Sequence, residues 1–238
     1  MSSTITLSPR RITRVLFILV VFLTLASLAT QYSTYYLGYD WVFGMVPKFY
    51  LGKEANVPTW YQSSTIFLAA ALLALIAAAK HRTQDLFAAH WKWLAIIFLL
   101  LSLDEAAAFH ELTIQPLREA FHLSGIFYWA WVIPGFAFAL IVFLFYIRFL
   151  VHLPPPTRWR FLIAGGLYLA GALGVESLEG RYAEQHGYEN STYSLMVQCE
   201  EFAEMSGILI FLDSLLRYLE SHVGPITLSF SEPPQNPS

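Results

Sequence analysis

Eight carboxylates lie within or at the edge of long apolar runs of this chain. Asp104, Glu105 and Glu111 share one run with His110. Glu176 and Glu179 share a second, and Glu200, Glu201 and Glu204 a third. Charged groups inside hydrocarbon are costly and usually face a protein interior or a water-filled cavity. Like charges also raise one another's pKa, so eight carboxylates in one layer cannot all ionise unaided. The bases expected near the cluster on that side are Arg118 and Arg181. The remaining charge needs a bound metal ion, shared protons or a hydrated cation path.

The residue types point first to a metal site. Helical bundles hold iron or manganese pairs through Glu and Glu-x-x-His pairs from facing helices. Here Glu176-x-x-Glu179 and Glu201-x-x-Glu204 supply paired carboxylates, while Asp104, Glu105, His110 and Glu111 supply a third side. Neither Glu-x-x-Glu has a His in the fourth place, which departs from the di-iron pattern. Oxygen-rich ligands suit iron, manganese, calcium or magnesium. The expected ligands are Asp104, Glu105, His110, Glu176, Glu179, Glu200, Glu201 and Glu204. His110, Glu111 and Arg181 are the candidate catalytic residues: a proton shuttle, a carboxylate that orients ligands, and a base for an anionic group. The expected substrate is a lipid or a periplasmic small molecule. Two further readings stand beside this one. The acids could be the vestibule of a cation or proton channel, transporter or sensor, or they could be structural and partly protonated.

These acids must be held by the elements that the rest of the sequence predicts. The chain has 238 residues, 56% hydrophobic and 13% charged. That composition excludes a disordered chain, a collagen and a coiled coil, and a net charge of −3 leaves no basic footprint for nucleic acid. Apolar runs near 20 residues long predict an all-α, polytopic membrane protein. Its six-transmembrane-helix bundle has spans at about 15–37, 58–79, 91–111, 126–151, 159–181 and 193–218. One domain covers 1–221, and 222–238 reads as a disordered cytoplasmic tail. The first span has a competing reading as a cleaved signal peptide, with Arg10, Arg11 and Arg14 before it.

Lys and Arg set the orientation. With the N-terminus in the cytoplasm, Arg10, Arg11, Arg14, Lys80, Arg82, Lys92, Arg148, Arg158, Arg160 and Arg217 lie inside. Lys48, Lys53, Arg118 and Arg181 lie outside. Both termini are then cytoplasmic, and the location is the inner membrane. All seven Trp fall near predicted boundaries, as an aromatic belt requires. The loop at about 38–57 is external and a candidate interfacial segment.

At ~1.5 Å per residue, Asp104 lies ~17 Å beyond Trp93 and Glu176 ~25 Å beyond Trp159. Glu200 and Glu204 lie ~10 and ~16 Å inside Tyr193. All these acids therefore fall in the external half. At about 100° per residue, Asp104 and Glu111 share a helix face, with His110 some 120° away. Gly166, Ala170 and Gly174 predict a close helix contact, and Pro134-Gly135 a mid-span kink. Cys199 reads as a small buried side chain.

The motif Leu103-Asp104-Glu105-Ala106, followed by His110-Glu111, joins three other runs: Glu54 to Trp60, Gly180 to Glu184, and Glu200-Glu201 to Glu204. Together they resemble an uncharacterised family of bacterial multi-pass membrane proteins over about residues 39–218. The resemblance implies a bacterial cytoplasmic-membrane location and adds no activity.

Overall fold

The structure, a computed structural model, describes residues 8–224. Helices dominate, and no strand occurs among the described residues. The elements are α1 (Pro9–Leu37), α2 (Met45–Phe49), α3 (Val57–Arg82), α4 (Ala88–Ala107), α5 (Ile114–Phe121), α6 (Val132–His152), α7 (Pro155–Leu169), α8 (Glu176–His186) and α9 (Ser191–Tyr218). A π-helical turn, Ala170–Val175, joins α7 to α8. The expected tail lies almost wholly beyond residue 224, outside the described residues.

Four helical stretches are long and apolar enough to cross a membrane: 9–37, 57–82, 132–152 and 155–186. A fifth candidate is the pair Ala88–Ala107 and His110–Phe121, bent by 76°. Six spans were expected. The missing one is α9, whose 28 residues (~42 Å) are long enough but carry Glu200, Glu201 and Glu204.

Side chains sort as they would in an apolar solvent. α1 exposes Phe17, Ile18, Phe22 and Leu25, and α6 exposes Phe136, Leu140, Ile141 and Leu144. Apolar sleeves of this extent mark contact with lipid or another apolar partner. The buried core sits toward the end of the bundle that carries the bases. There Trp91 packs edge-on against Phe149 and tilted on Tyr218, each at 4.9 Å. Arg217 pairs with Asp213 at 2.6 Å, and Lys80 pairs with Asp85 at 3.0 Å. The opposite end carries the acids.

Polar contacts fix that acidic end. Ser63 and Ser102 exchange hydroxyl-to-carbonyl bonds of 2.8 Å between α3 and α4. Gln31 of α1 donates to Gln198 of α9 at 2.9 Å. The segment 38–56 folds back over the bundle: the Leu51 amide donates to the Ser27 hydroxyl at 3.1 Å, and the Tyr50 hydroxyl meets Ser194 at 2.8 Å. Asn56 ends this segment by accepting from the Thr59 amide at 3.0 Å, which caps the start of α3.

Three expectations, two on helix shape and packing and one on burial, change. α6 begins at Val132, so Pro134 and Gly135 sit in its first turn and not mid-span. A proline there removes an amide that has no intrahelical partner anyway, so no kink follows. The expected glycine stripe is also displaced. A Cβ on Gly166 would meet nothing within 4 Å, and one on Gly174 only a carbonyl at 4.0 Å. The close approaches are at Gly171, where a Cβ would come within 2.8 Å of the Glu200 carbonyl, and at Gly207, where one would come within 2.8 Å of the Ala164 carbonyl. Cys199, expected to be buried, is exposed.

Gly207→Ala should therefore force α7 and α9 apart and destabilise the fold by about 1–3 kcal/mol. Gly166→Ala should leave the melting temperature unchanged or slightly raised, because it meets no neighbour and favours helix. Thermal melts of both variants in one detergent check this, and equal melting temperatures would contradict the assigned contact.

Candidate functional site

The acids meet at one cavity of about 720 Å³. Its wall contains Asp104, Glu105, His110, Glu111, Glu176, Glu179, Glu200, Glu201 and Glu204. Every expected metal-site residue is therefore on it, together with Glu54 from the segment before α3. Among the described residues no Lys or Arg lines it.

The backbone explains how α4 delivers its group. The helix stops at Ala107, and Ala108 takes a left-handed conformation at φ 48°. The chain then turns back on the last helical turn. His110 lands on Asp104: its amide donates to Oδ1 at 2.9 Å, and its ring Nδ1 lies 2.8 Å from Oδ2. The helical-wheel expectation that set His110 apart from Asp104 fails because the helix no longer exists at residue 110. Both Asp104 oxygens are engaged by His110, so in this arrangement Asp104 holds the imidazole. The ring also packs on Trp131 at 4.6 Å between centroids. Nδ1 is occupied, which leaves Nε2 as the free ring nitrogen.

The α7–α8 stretch delivers Glu176 and Glu179 through its π-helical turn. Such turns insert one extra residue per turn and re-aim the side chains that follow. Gly171 lets this turn sit against α9 where Glu204 rises, with the Glu204 Cγ 3.0 Å from a would-be Cβ. Glu176 accepts from the Trp131 indole, and Glu179 is 2% exposed beside Glu200 and Tyr193.

Glu105, Glu176, Glu179, Glu200, Glu201 and Glu204 all border the same cavity. Gln62 of α3 donates to Glu204 at 2.7 Å. The Oε1 atoms of Gln62 and Glu179 are buried without a hydrogen-bond partner. Among the described residues no three His, Cys, Asp or Glu side chains are placed to hold a metal ion as they stand. Binding one would require glutamate side chains to rotate inward.

Arg181 is not part of the cavity. It is exposed on α8, so the expected role as an anion-holding or neutralising base fails for geometric reasons. Arg118 is also outside the cavity and lies over the Tyr128 ring at 4.4 Å. The sequence reading missed Glu54, Gln62, Trp131, Tyr168 and Tyr193 as wall residues. Gln62 was legible as a long amide in an otherwise apolar span. Glu54 had only its place in the resemblance motif.

Comparison with known proteins adds a family. The family model described as a domain of unknown function (DUF8692) matches residues 12–219, and the chain belongs to that family. No curated protein and no solved structure matches it.

Glu54 sits at the mouth, partly open to solvent. Its partial burial pushes its carboxyl above the ordinary 4.5, and the nearby Glu111 carboxylate adds to the shift. The unfolded chain gives up this proton at the ordinary value and the folded chain only at higher pH. Stability from the retained proton is therefore full below 4.5 and is lost as pH rises through the folded value. Glu54→Gln should melt increasingly above wild type as pH rises from 4.5 toward neutrality. A gap between the two that stays constant with pH would refute the assignment.

Proposed function

We propose that this is an integral membrane protein of six spans with both termini cytoplasmic, whose acid-walled cavity lies in the external half of a bacterial inner membrane and binds a divalent cation. The spans would be α1, α3, bent α4, α6, the α7–α8 stretch and α9. Support comes from the apolar sleeves on α1 and α6, the bases gathered at one end, and Trp60 and Trp131 near the other. α9 carries acids, but it lies against α1, α3 and α7 and turns Glu204 inward at 7% exposure. An acidic span becomes tolerable when its charges face a cavity in this way.

One observation carries the cation reading. Nine carboxylates and one histidine share a wall that has no Lys or Arg. Charge of one sign in a recess of low polarity focuses the field on a counter-ion. The oxygen donors suit iron, manganese, calcium or magnesium. Glu105, Glu201 and Glu204 would supply one ligand group, and Glu176, Glu179 and Glu200 another. Drawing either trio inward would replace repulsion between like charges with attraction to the ion.

The activity served is a metal-dependent reaction on a lipid or a periplasmic small molecule. A bound divalent ion supplies Lewis acidity. His110, fixed in orientation by Asp104, takes up or releases a proton at Nε2, and Glu111 lies next to it at the mouth. A cation or proton path through the protein fits less well. Away from the acids the cavity is walled by Leu, Ile and Phe, with Tyr146 and Tyr168 as its polar interruptions.

Metal analysis of the full chain purified in mild detergent should find a divalent ion, co-purified or reconstituted. Glu204→Gln should weaken Mn²⁺ binding about tenfold or more, ~1.4 kcal/mol. Absence of any metal in either form would remove the basis of this reading. Orientation has its own check. A reporter fused after Arg217 should show a cytoplasmic signal, and a periplasmic one would reverse the topology.

A further inference from the structure

The cavity is longer than its acidic wall. Past Glu204 it continues toward the basic end as an apolar arm walled by Ile97, Phe98, Ala139, Val142, Phe161 and Gly166. The arm is open because α6 is held at its two ends and stands off between them. At the acidic end Gly135 lies against Leu173 and the Trp131 indole donates to Glu176. At the basic end the Tyr146 hydroxyl donates to the His90 carbonyl at 2.9 Å, and Phe149 packs on Trp91. The ten intervening residues span ~15 Å. On α7, Gly165 and Gly166 also border the arm, and a Cβ on either would meet nothing within 4 Å.

The polar part of the cavity holds an independent sign of a ligand. Gln62 and Glu179 are each 2% exposed, and the Oε1 of each is buried with no hydrogen-bond partner. Both residues line the cavity. A buried acceptor without a donor is unfavourable by about 1–3 kcal/mol, so an occupant that brings donors is favoured.

We propose that the cavity takes a long-chain amine from the bilayer, with its hydrocarbon chain in the apolar arm and its ammonium group among the carboxylates. The ammonium carries three donors and no acceptor, so it can donate to an unpartnered buried oxygen and to the surrounding acids. An anionic head would meet nine carboxylates and, among the described residues, no Lys or Arg. The volume of about 720 Å³ falls within the ~300–1,000 Å³ usual for small-molecule pockets. This deepens the cation-pocket reading by naming its substrate class and rests on that pocket being the working site.

The test uses the full chain in phosphatidylcholine nanodiscs with EDTA and radiolabelled dodecylamine. Binding should saturate, and unlabelled dodecanoate should compete about tenfold or more weakly than unlabelled dodecylamine. Ala139→Phe and Gly166→Phe should fill the arm and weaken dodecylamine binding by a similar factor while still eluting as a single species. Ala139→Leu replaces either variant that fails to elute so. Non-saturable binding, equal competition by dodecanoate, or wild-type affinity in the arm variants would each overturn the proposal. The two readings fail separately. Loss of Mn²⁺ binding with amine binding intact overturns the metal reading alone, and the converse overturns this one alone.

Discussion

The structure depends on one electrostatic constraint. Nine carboxylates share a cavity that, among the described residues, has no lysine or arginine to balance them. In water such a group would be unremarkable chemistry, but here several of its members are largely buried. Their charged forms lose hydration and repel one another, so the folded state gains from anything cationic that enters, whether proton, ammonium or metal. Most basic residues lie at the opposite end of the bundle, and Arg118 and Arg181, on the acidic side, lie outside the cavity wall.

The helices spend local irregularity on assembling this wall. α4 ends abruptly at Ala107 and the left-handed Ala108 folds His110 back onto Asp104. The α7–α8 stretch widens into a π-helical turn immediately before Glu176. Gly171 removes the side chain that would otherwise hold this turn away from α9. Each break costs regular hydrogen bonding and each sits beside a wall residue, which is where irregular backbone is expected to concentrate. The segment 38–56, held by Ser27 and Ser194, then brings Glu54 to the mouth.

The other half of the bundle is built differently. Around Trp91, aromatic rings from α6 and α7 pack edge to face and Tyr218 of α9 packs tilted, which fixes the basic end. α6 shares in this packing through Tyr146 and Phe149 but leaves a gap beside α7 farther up. A bundle anchored at both ends of one helix and open between them can hold an apolar chain without unfolding any element. The acidic head and the apolar arm are thus two parts of one recess, produced by packing that is dense at one end and loose in the middle.

Much of this was legible in the chain. Apolar runs located the long helices, because an apolar solvent and a helical backbone both demand them. Rise per residue located the acids in one layer, because depth along a straight helix is a matter of counting. Arg181 was misjudged because counting gives depth but not which way a helix face points after an irregular turn. Pro134 was misjudged because its effect depends on where the helix starts. His110 was set apart from Asp104 for a related reason: a helical wheel presumes a helix that the chain had already left. Residue types and spacing by themselves determined an all-helical chain with its acids gathered at one end. Only the tertiary structure decided that they share a single cavity, that His110 binds Asp104, that Gln62 and Glu54 join them, and that an apolar arm continues beneath. Those facts depend on contacts between elements far apart in sequence, and no local pattern encodes them.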